Sequence, residues 1–279
     1  MMVTDTSFEK LCVRQTAHEG TAAAMPRAPL APERPAAAGR VSPILFSAPM
    51  VRANIREVQQ PGTGKTQTRR VAKWDRVEPG INLGFSGLSA ARLRTNDTRD
   101  GVWTLSSRGR GGCWEERAWL RTFAVGDVLW VRETWAPLDA LTHSDPGVTA
   151  LADKGFYRAD NSTVDGEIKR WQPSIHMPRW ASRLTLEVTN VRVERLQDIS
   201  EDDAIAEGVT KVRDCCYVIR GFDYDTSGLC HTHAVTPYAK LWEHLHGPGA
   251  WEANPWVVAV TYKPHLINVD AFLAQRATA

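Results

Sequence analysis

Leu184, Leu186 and Val188 alternate with polar residues, and Val191 and Val193 continue the alternation in the opposite phase. Alternation of period two marks a strand with one buried face. A phase change at Thr189-Asn190 keeps the apolar side chains on one face only if the strand bulges there, so the strand must bend. A bent strand belongs to a curved sheet, as in small β-barrels.

The other periodic segments agree with a β-rich chain. Residues 44–50 read as a strand leading into a short helix over Val51 to Val58, and Thr66 to Val71 reads as extended. Gly126-Asp127 is a turn signal before a buried strand that starts at Val128 and continues to Trp135. Trp256 to Tyr262, rich in β-branched and aromatic residues, reads as the last strand. Ser200 caps a short helix ending at Glu207, with Glu201, Asp202 and Asp203 in its first turn and Gly208 as its stop. A second helix has Thr236 as cap, Pro237 in the first position, Tyr238, Leu241, Trp242 and Leu245 on one face, and Gly247 at its end. There is no βαβ rhythm and no repeat, so the expected class is mostly β (α+β).

Residues 1–40 read as an Ala/Pro-rich disordered tail, within or after which Met25 or Met50 could be the true start. The expected domain covers 41–265. Long insertions are expected at about 74–120, 136–180 and 210–235, where no period is sustained, and a second tail at 266–279. No run of about 18 apolar residues is present and residues 1–20 lack an apolar signal core, so a cytoplasmic protein without a membrane partner is expected.

Net charge is only +2, but its distribution is uneven. Arg52 to Arg121 holds fourteen Lys/Arg against seven Asp/Glu, and Leu196 to Asp225 holds three against eight. The basic stretch suits a polyanion, or is a set of solvated loops. Eleven Trp stand against five Tyr and seven Phe, which supplies flat surfaces for core packing or for stacking on a base. The five Cys are odd in number, unlike a disulfide framework. Cys215, Cys216, Cys230, His231 and His233 do not match common tetrahedral spacings, and no metal is expected.

Pro61-Gly62-Thr63-Gly64-Lys65-Thr66 imitates a phosphate-binding P-loop, but Gln59 occupies the first glycine position. A helix rather than a buried strand precedes it. More informative is Gly64-Lys65-Thr66-Gln67-Thr68-Arg69-Arg70, which packs an amine, two hydroxyls and two guanidinium groups together. On a strand, Thr66, Thr68 and Arg70 share one face, within reach of Lys65. The segment is either an exposed basic edge or part of a site.

Gly64 to Arg70, Gly126 to Val131, Ile199 to Glu207 and Trp256 to Lys263 together resemble the ASCH proteins, and Trp171 to Glu207 looks like ASCH-type proteins carried by phages and prophages. The likeness spans roughly 44–264. It implies a PUA-like β-barrel with short flanking helices and a pocket for a nucleobase or nucleoside. The family includes a small bacterial N4-acetylcytidine amidohydrolase, whose catalytic lysine, threonine and glutamate fall by resemblance on Lys65, Thr68 and Glu207. The glycine-rich loop before Lys65 replaces a shorter link in that enzyme.

That implied chemistry is an acyl transfer without cofactor or metal. Thr68 attacks the acyl carbon, Lys65 takes its proton, and Glu207 protonates the departing amine. Desolvation and the nearby Arg69 and Arg70 would ease loss of the lysine proton. Thr66, Arg69, Arg70, Asp127, Trp135, His176 and Trp180 are candidates for substrate binding, the last two as parts of a lid with a stacking Trp. For Asp127 the competing role is a turn, and for the 171–180 segment a rigid connector. The expected partner is a modified nucleoside or a nucleic acid. The rival functions are a non-catalytic RNA or modified-DNA binding module and an ASCH-type ribonuclease.

Overall fold

The computed structural model describes residues 39–92, 101–109, 111–137, 155–160, 168, 170–214, 216–222 and 231–278. Nearly all of the expected N-terminal tail, much of 136–180 and residues 215 and 223–230 of the 210–235 insertion lie outside them. The strands are β1 (Val41–Leu45), β2 (Gln67–Val71), β3 (Arg76–Val77), β4 (Ser89–Arg92), β5 (Val102–Arg108), β6 (Trp114–Arg121), β7 (Val128–Arg132), β8 (Trp135–Ala136), β9 (Phe156–Tyr157), β10 (Thr185–Arg195), β11 (Thr210–Arg213), β12 (Cys216–Val218) and β13 (Trp256–His265). The α-helices are α1 (Ala48–Gln59), α2 (Glu201–Ala206), α3 (Val235–His246) and α4 (Val269–Thr278). The fold is mostly β with a few helices.

The principal sheet has the order β1-β7-β10-β13-β2. β1 and β7 are parallel and the other pairs antiparallel. β10 and β13 pair along their lengths, but Val188 faces Tyr262 while Asn190 faces Thr261, so Thr189 is the extra residue of a bulge. This is the bend that the phase change requires. It keeps Leu186, Val188, Val191 and Val193 in one core with Leu129, Val131, Val258 and Val260. Each such buried side chain is worth ~1.5–3 kcal/mol relative to an exposed one.

Among the described residues the expected barrel is not closed by backbone pairing: β1 and β2 are the two edges of the sheet. They meet through a side chain instead, the Arg70 guanidinium of β2 donating to the Leu45 carbonyl of β1 at 2.6 Å. α1 follows β1, with Pro49 in its first turn, where a missing N–H breaks no helical bond. This starts the helix at Ala48, earlier than the expected Val51.

Two segments differ more strongly from expectation. Much of the supposed irregular insertion at 74–120 is a four-stranded antiparallel sheet, β3-β6-β5-β4. Its strands mix apolar residues with arginine, glutamate and serine in no sustained period, and Leu88, Leu105, Ala118 and Leu120 are buried in the main core. The supposed tail at 266–279 contains α4, held by Val269 and Phe272 against Val128. α3 begins at Val235 with Ala234, not Thr236, at its cap. The Ala234 amide donates to the Glu201 carboxylate of α2, which supplies the acceptor that an alanine lacks.

Asp127 is a turn residue. Its carboxylate accepts from the amides of Arg40 at 2.8 Å and Ala124 at 3.0 Å, pinning the chain where β1 meets β7. Replacing it, as Asp127→Ala, leaves one buried and one half-buried donor without this acceptor and should lower unfolding free energy by ~1–3 kcal/mol in urea titrations. A loss within about 0.5 kcal/mol, as for an ordinary surface change, would show that the turn forms without it.

Candidate active site

The loop before β2 is fastened to α1. The Glu57 carboxylate accepts from the amides of Gly62 at 2.9 Å and Gly64 at 2.8 Å. In the P-loop imitation, therefore, two amides hold an internal carboxylate where a nucleotide-binding loop would hold phosphate. A side chain at Gly64 would come within 2.3 Å of the Ala53 carbonyl, so only glycine lets the loop lie this close to the helix. The Lys65 amide then donates to that carbonyl at 3.1 Å, and the Thr66 amide to Ala206 at 2.9 Å. These bonds set the entry to β2 and aim Lys65 inward.

Lys65 is 1% exposed and Glu207 4%. Glu207 is the C-terminal cap of α2, followed by Gly208 at φ 108°, a conformation that favours glycine. The Lys65 ammonium reaches the Glu207 carboxylate at 2.5 Å and its main-chain carbonyl at 2.8 Å. Burial pushes the Lys65 pKa below its ordinary value; Glu207 pulls the other way, while Arg70 and Arg69 add to the lowering.

Arg69 holds this corner together. Its side chain has no exposed surface and bridges Glu194 of β10 at 2.7 Å and Asp203 of α2 at 2.9 Å, with Glu207 at 3.5 Å. Gln67, on the same face of β2, bonds Arg69 and also donates to Asp203 at 3.0 Å. Arg192 adds a second guanidinium to Asp203 at 2.8 Å. Burial alone would raise the Asp203 pKa, but the hydrogen bonds from Gln67 and Arg192 and the charges of Arg69 and Arg192 prevail and hold it at about 2.

Lys65, Thr68, Arg69, Arg70 and Glu207 line one cavity of about 160 Å³, closed on its apolar side by Phe46, Met50, Tyr238, Leu241 and Trp242. A dry cavity of about 150 Å³ accepts a benzene ring, so this one has room for a single six-membered heterocycle. Arg70 and His246 also line it, Arg70 being exposed. The Arg70 guanidinium lies 5.5 Å from the Phe46 ring centre, and the His246 ring lies 4.1 Å from that of Trp242 at an interplanar angle of 31°. Burial, then Arg70, lowers the His246 pKa, favouring its neutral imidazole near pH 7.

No family model, no curated protein and no solved structure matches the chain.

The cavity thus unites five of the residues expected from sequence and omits five others. Thr66 is engaged through its backbone and does not line it. Asp127 lies in its turn. Trp135 packs in a separate cluster with Tyr157, Met177 and Ala181, and Trp180 stands edge-on to it at 5.7 Å and is 53% exposed. His176 is exposed on a short 3₁₀ turn. The 171–180 segment accordingly behaves as a connector packed around Met177, not as a wall of this pocket. Among the described residues no cluster of three or more His, Cys, Asp or Glu is placed to hold a metal, and Cys215 and Cys230 lie outside them.

Phe46, Tyr238, Trp242 and His246 are pocket residues that sequence reasoning did not single out. Tyr238 and Trp242 were visible as the apolar face of α3, but burial and pocket lining leave the same periodic signal. Gln67 and Arg69 alternate on one face of β2, and Arg192 and Glu194 on the half-buried face of β10 opposite Val191 and Val193, a spacing that could have been sought as a signal for a buried charge cluster.

Asp203 has a folded pKa of about 2, against about 3.9 for an unfolded aspartate. Its carboxylate therefore adds stability above about pH 4, which is lost as pH falls through about 2. In urea unfolding between those pH values, wild type should lose stability more steeply than Asp203→Asn; equal slopes would show that Asp203 does not carry the effect.

Proposed function

We propose that this chain is a PUA-like protein of the ASCH type that binds a pyrimidine nucleoside and removes an acyl group from its modified exocyclic amine, as from N4-acylated cytidine. The observation that carries this reading is the 2.5 Å contact between Lys65 and Glu207 on a wall shared with Thr68. Replacing a buried ion pair with apolar residues often leaves stability unchanged or improved. Keeping the pair beside an apolar, ring-sized cavity is better explained by chemistry than by packing.

In the proposed reaction the Lys65 ammonium first passes a proton to Glu207 across their hydrogen bond, leaving a neutral amine and a carboxylic acid; the Thr68 hydroxyl oxygen then bonds to the acyl carbon as Lys65 accepts its proton. The bond between acyl carbon and amine nitrogen then breaks, and the nitrogen takes a proton from Glu207. The Lys65–Glu207 hydrogen bond lets the proton abstracted at Lys65 replace the one donated by Glu207. Water attacks the Thr68 ester and releases the carboxylic acid. Phe46 and Trp242 supply the apolar surroundings that hold the base and ease loss of the lysine proton.

A second reading, recognition of RNA or modified DNA without chemistry, is favoured by the way the Lys65 amine already donates to two oxygens of Glu207. A ribonuclease would use the same pocket on a chain rather than a nucleoside. Purified protein assayed against N4-acetylcytidine and labelled RNA separates the three.

On the amidohydrolase reading, Lys65→Ala, Thr68→Ala and Glu207→Ala should each reduce nucleoside deacylation by about 10²-fold or more, the scale of a lost general acid or base. Full activity in all three would end it. RNA cleavage would support a nuclease, and salt-sensitive binding without turnover a recognition module. Because Lys65 must be neutral to act, kcat/KM should rise with pH on a limb whose midpoint lies below the ordinary lysine value, and Lys65→Ala should abolish that limb. A flat profile would remove Lys65 from the role of base.

A further inference from the structure

The polar groups around the candidate cavity are not equally engaged. The Lys65 ammonium is held by the carboxylate and carbonyl of Glu207, and Arg69 by Gln67, Glu194, Asp203 and Glu207. Tyr238 of α3 also lines the cavity and is 3% exposed. Its ring is fixed by Trp242 and Trp251, both with ring centres 6.3 Å away, the second edge-on. Among the described residues its hydroxyl has no hydrogen-bond partner.

That hydroxyl nevertheless lies at the charged end of the site. It stands close enough to Glu207, Arg69, Arg70 and Glu194 to feel all four charges, and Arg69 feels it in return. Burial, then Glu207, pushes the Tyr238 pKa well above its ordinary value; Arg69 and Arg70 oppose this, and Glu194 adds to it. The group therefore keeps its proton at neutral pH and is a donor. A phenol oxygen taken from water without a partner destabilises a fold. A phenylalanine would place the same ring between the two tryptophans without that penalty. Packing therefore does not explain the oxygen, whereas a ligand acceptor in the cavity does.

Deacylation creates such an acceptor. When Thr68 adds to the acyl carbon, the π electron pair of the carbonyl moves onto its oxygen, and the alkoxide needs preorganised donors. Thr68 gives its own proton to Lys65, and Lys65 and Arg69 are already committed to carboxylates. Tyr238 is a neutral, buried donor still free to meet the charge. We propose that the Tyr238 hydroxyl is a catalytic oxyanion donor, hydrogen-bonded to the acyl oxygen in both tetrahedral intermediates; the inference rests on the amidohydrolase reading of the site. No proton is transferred at this residue. Its O–H bond stays intact while the carbonyl π bond opens as Thr68 adds and re-forms as the amine leaves, and the cycle repeats when water attacks the ester. The substrate class is therefore N-acyl: an N4-alkylated cytosine has no acyl oxygen for this donor.

The test compares the full chain, wild type and Tyr238→Phe, in thermal unfolding, cytidine binding and deacylation of N4-acetylcytidine. Because the oxygen bonds nothing in the fold itself, the variant should unfold at the same temperature as wild type or higher. Cytidine, the product, lacks the acyl oxygen, so its affinity should be unchanged. The kcat should fall about 10²-fold or more, the scale of a lost oxyanion donor, with KM little altered. A lower unfolding temperature would assign the hydroxyl to the fold, and a loss confined to KM and cytidine affinity would assign it to holding the base; either overturns the proposal. If wild type deacylates and Tyr238→Phe is as fast, the oxyanion role falls and the amidohydrolase reading survives. If wild type itself shows no turnover, both fall together.

Discussion

A guanidinium group without exposed surface cannot shed its charge, so carboxylates must come to it. Arg69 imposes that condition on this fold. Its partners arrive from β10, from α2 and from the cap just beyond α2, consecutive elements that lie 125 or more residues after it in the chain. Gln67 repeats the attachment two residues earlier on the same strand face. With both residues bound to Asp203, α2 has little freedom to slide over β2, and Glu207 is held where the Lys65 amine can reach it. Breaking one member of such a cluster costs more than forming it returns, because the remaining charges stay buried.

The second condition is the open edge of the sheet. β1 and β2 approach without a backbone ladder, joined by Arg70 and the Leu45 carbonyl. The candidate cavity is lined from both edges, by Leu45 and Phe46 on one side and Lys65, Thr68, Arg69 and Arg70 on the other. α3 covers it with Tyr238, Leu241 and Trp242. Ladder pairing there would have consumed the space. The same opening combines an apolar wall with buried charges, an environment that shifts a lysine toward its neutral form.

Much of this was legible in the sequence where the signal was local. The bend in β10 followed from the phase of Leu184 to Val193, and the start of α2 from Ser200, whose hydroxyl accepts from the Asp203 amide. The end of α3 followed from Gly247, at φ 96°. The β3–β6 sheet was not legible, because its apolar residues follow no sustained period and its strands are stabilised by pairing and by a few side chains that join a distant core. Nor was α4, whose contacts with β7 come from across the fold. Trp135, His176 and Trp180 were drawn toward the pocket by residue type alone, and packing around Met177 placed them elsewhere.

The sequence by itself determined what is written over a few residues: strand phase, caps, and the adjacency of Lys65 and Thr68, which a short segment of backbone enforces. Tertiary structure alone decided that Glu207, 142 positions from Lys65, becomes its partner. Local propensity acts through bonds between near neighbours, whereas a pocket depends on which surfaces the folded core presses together.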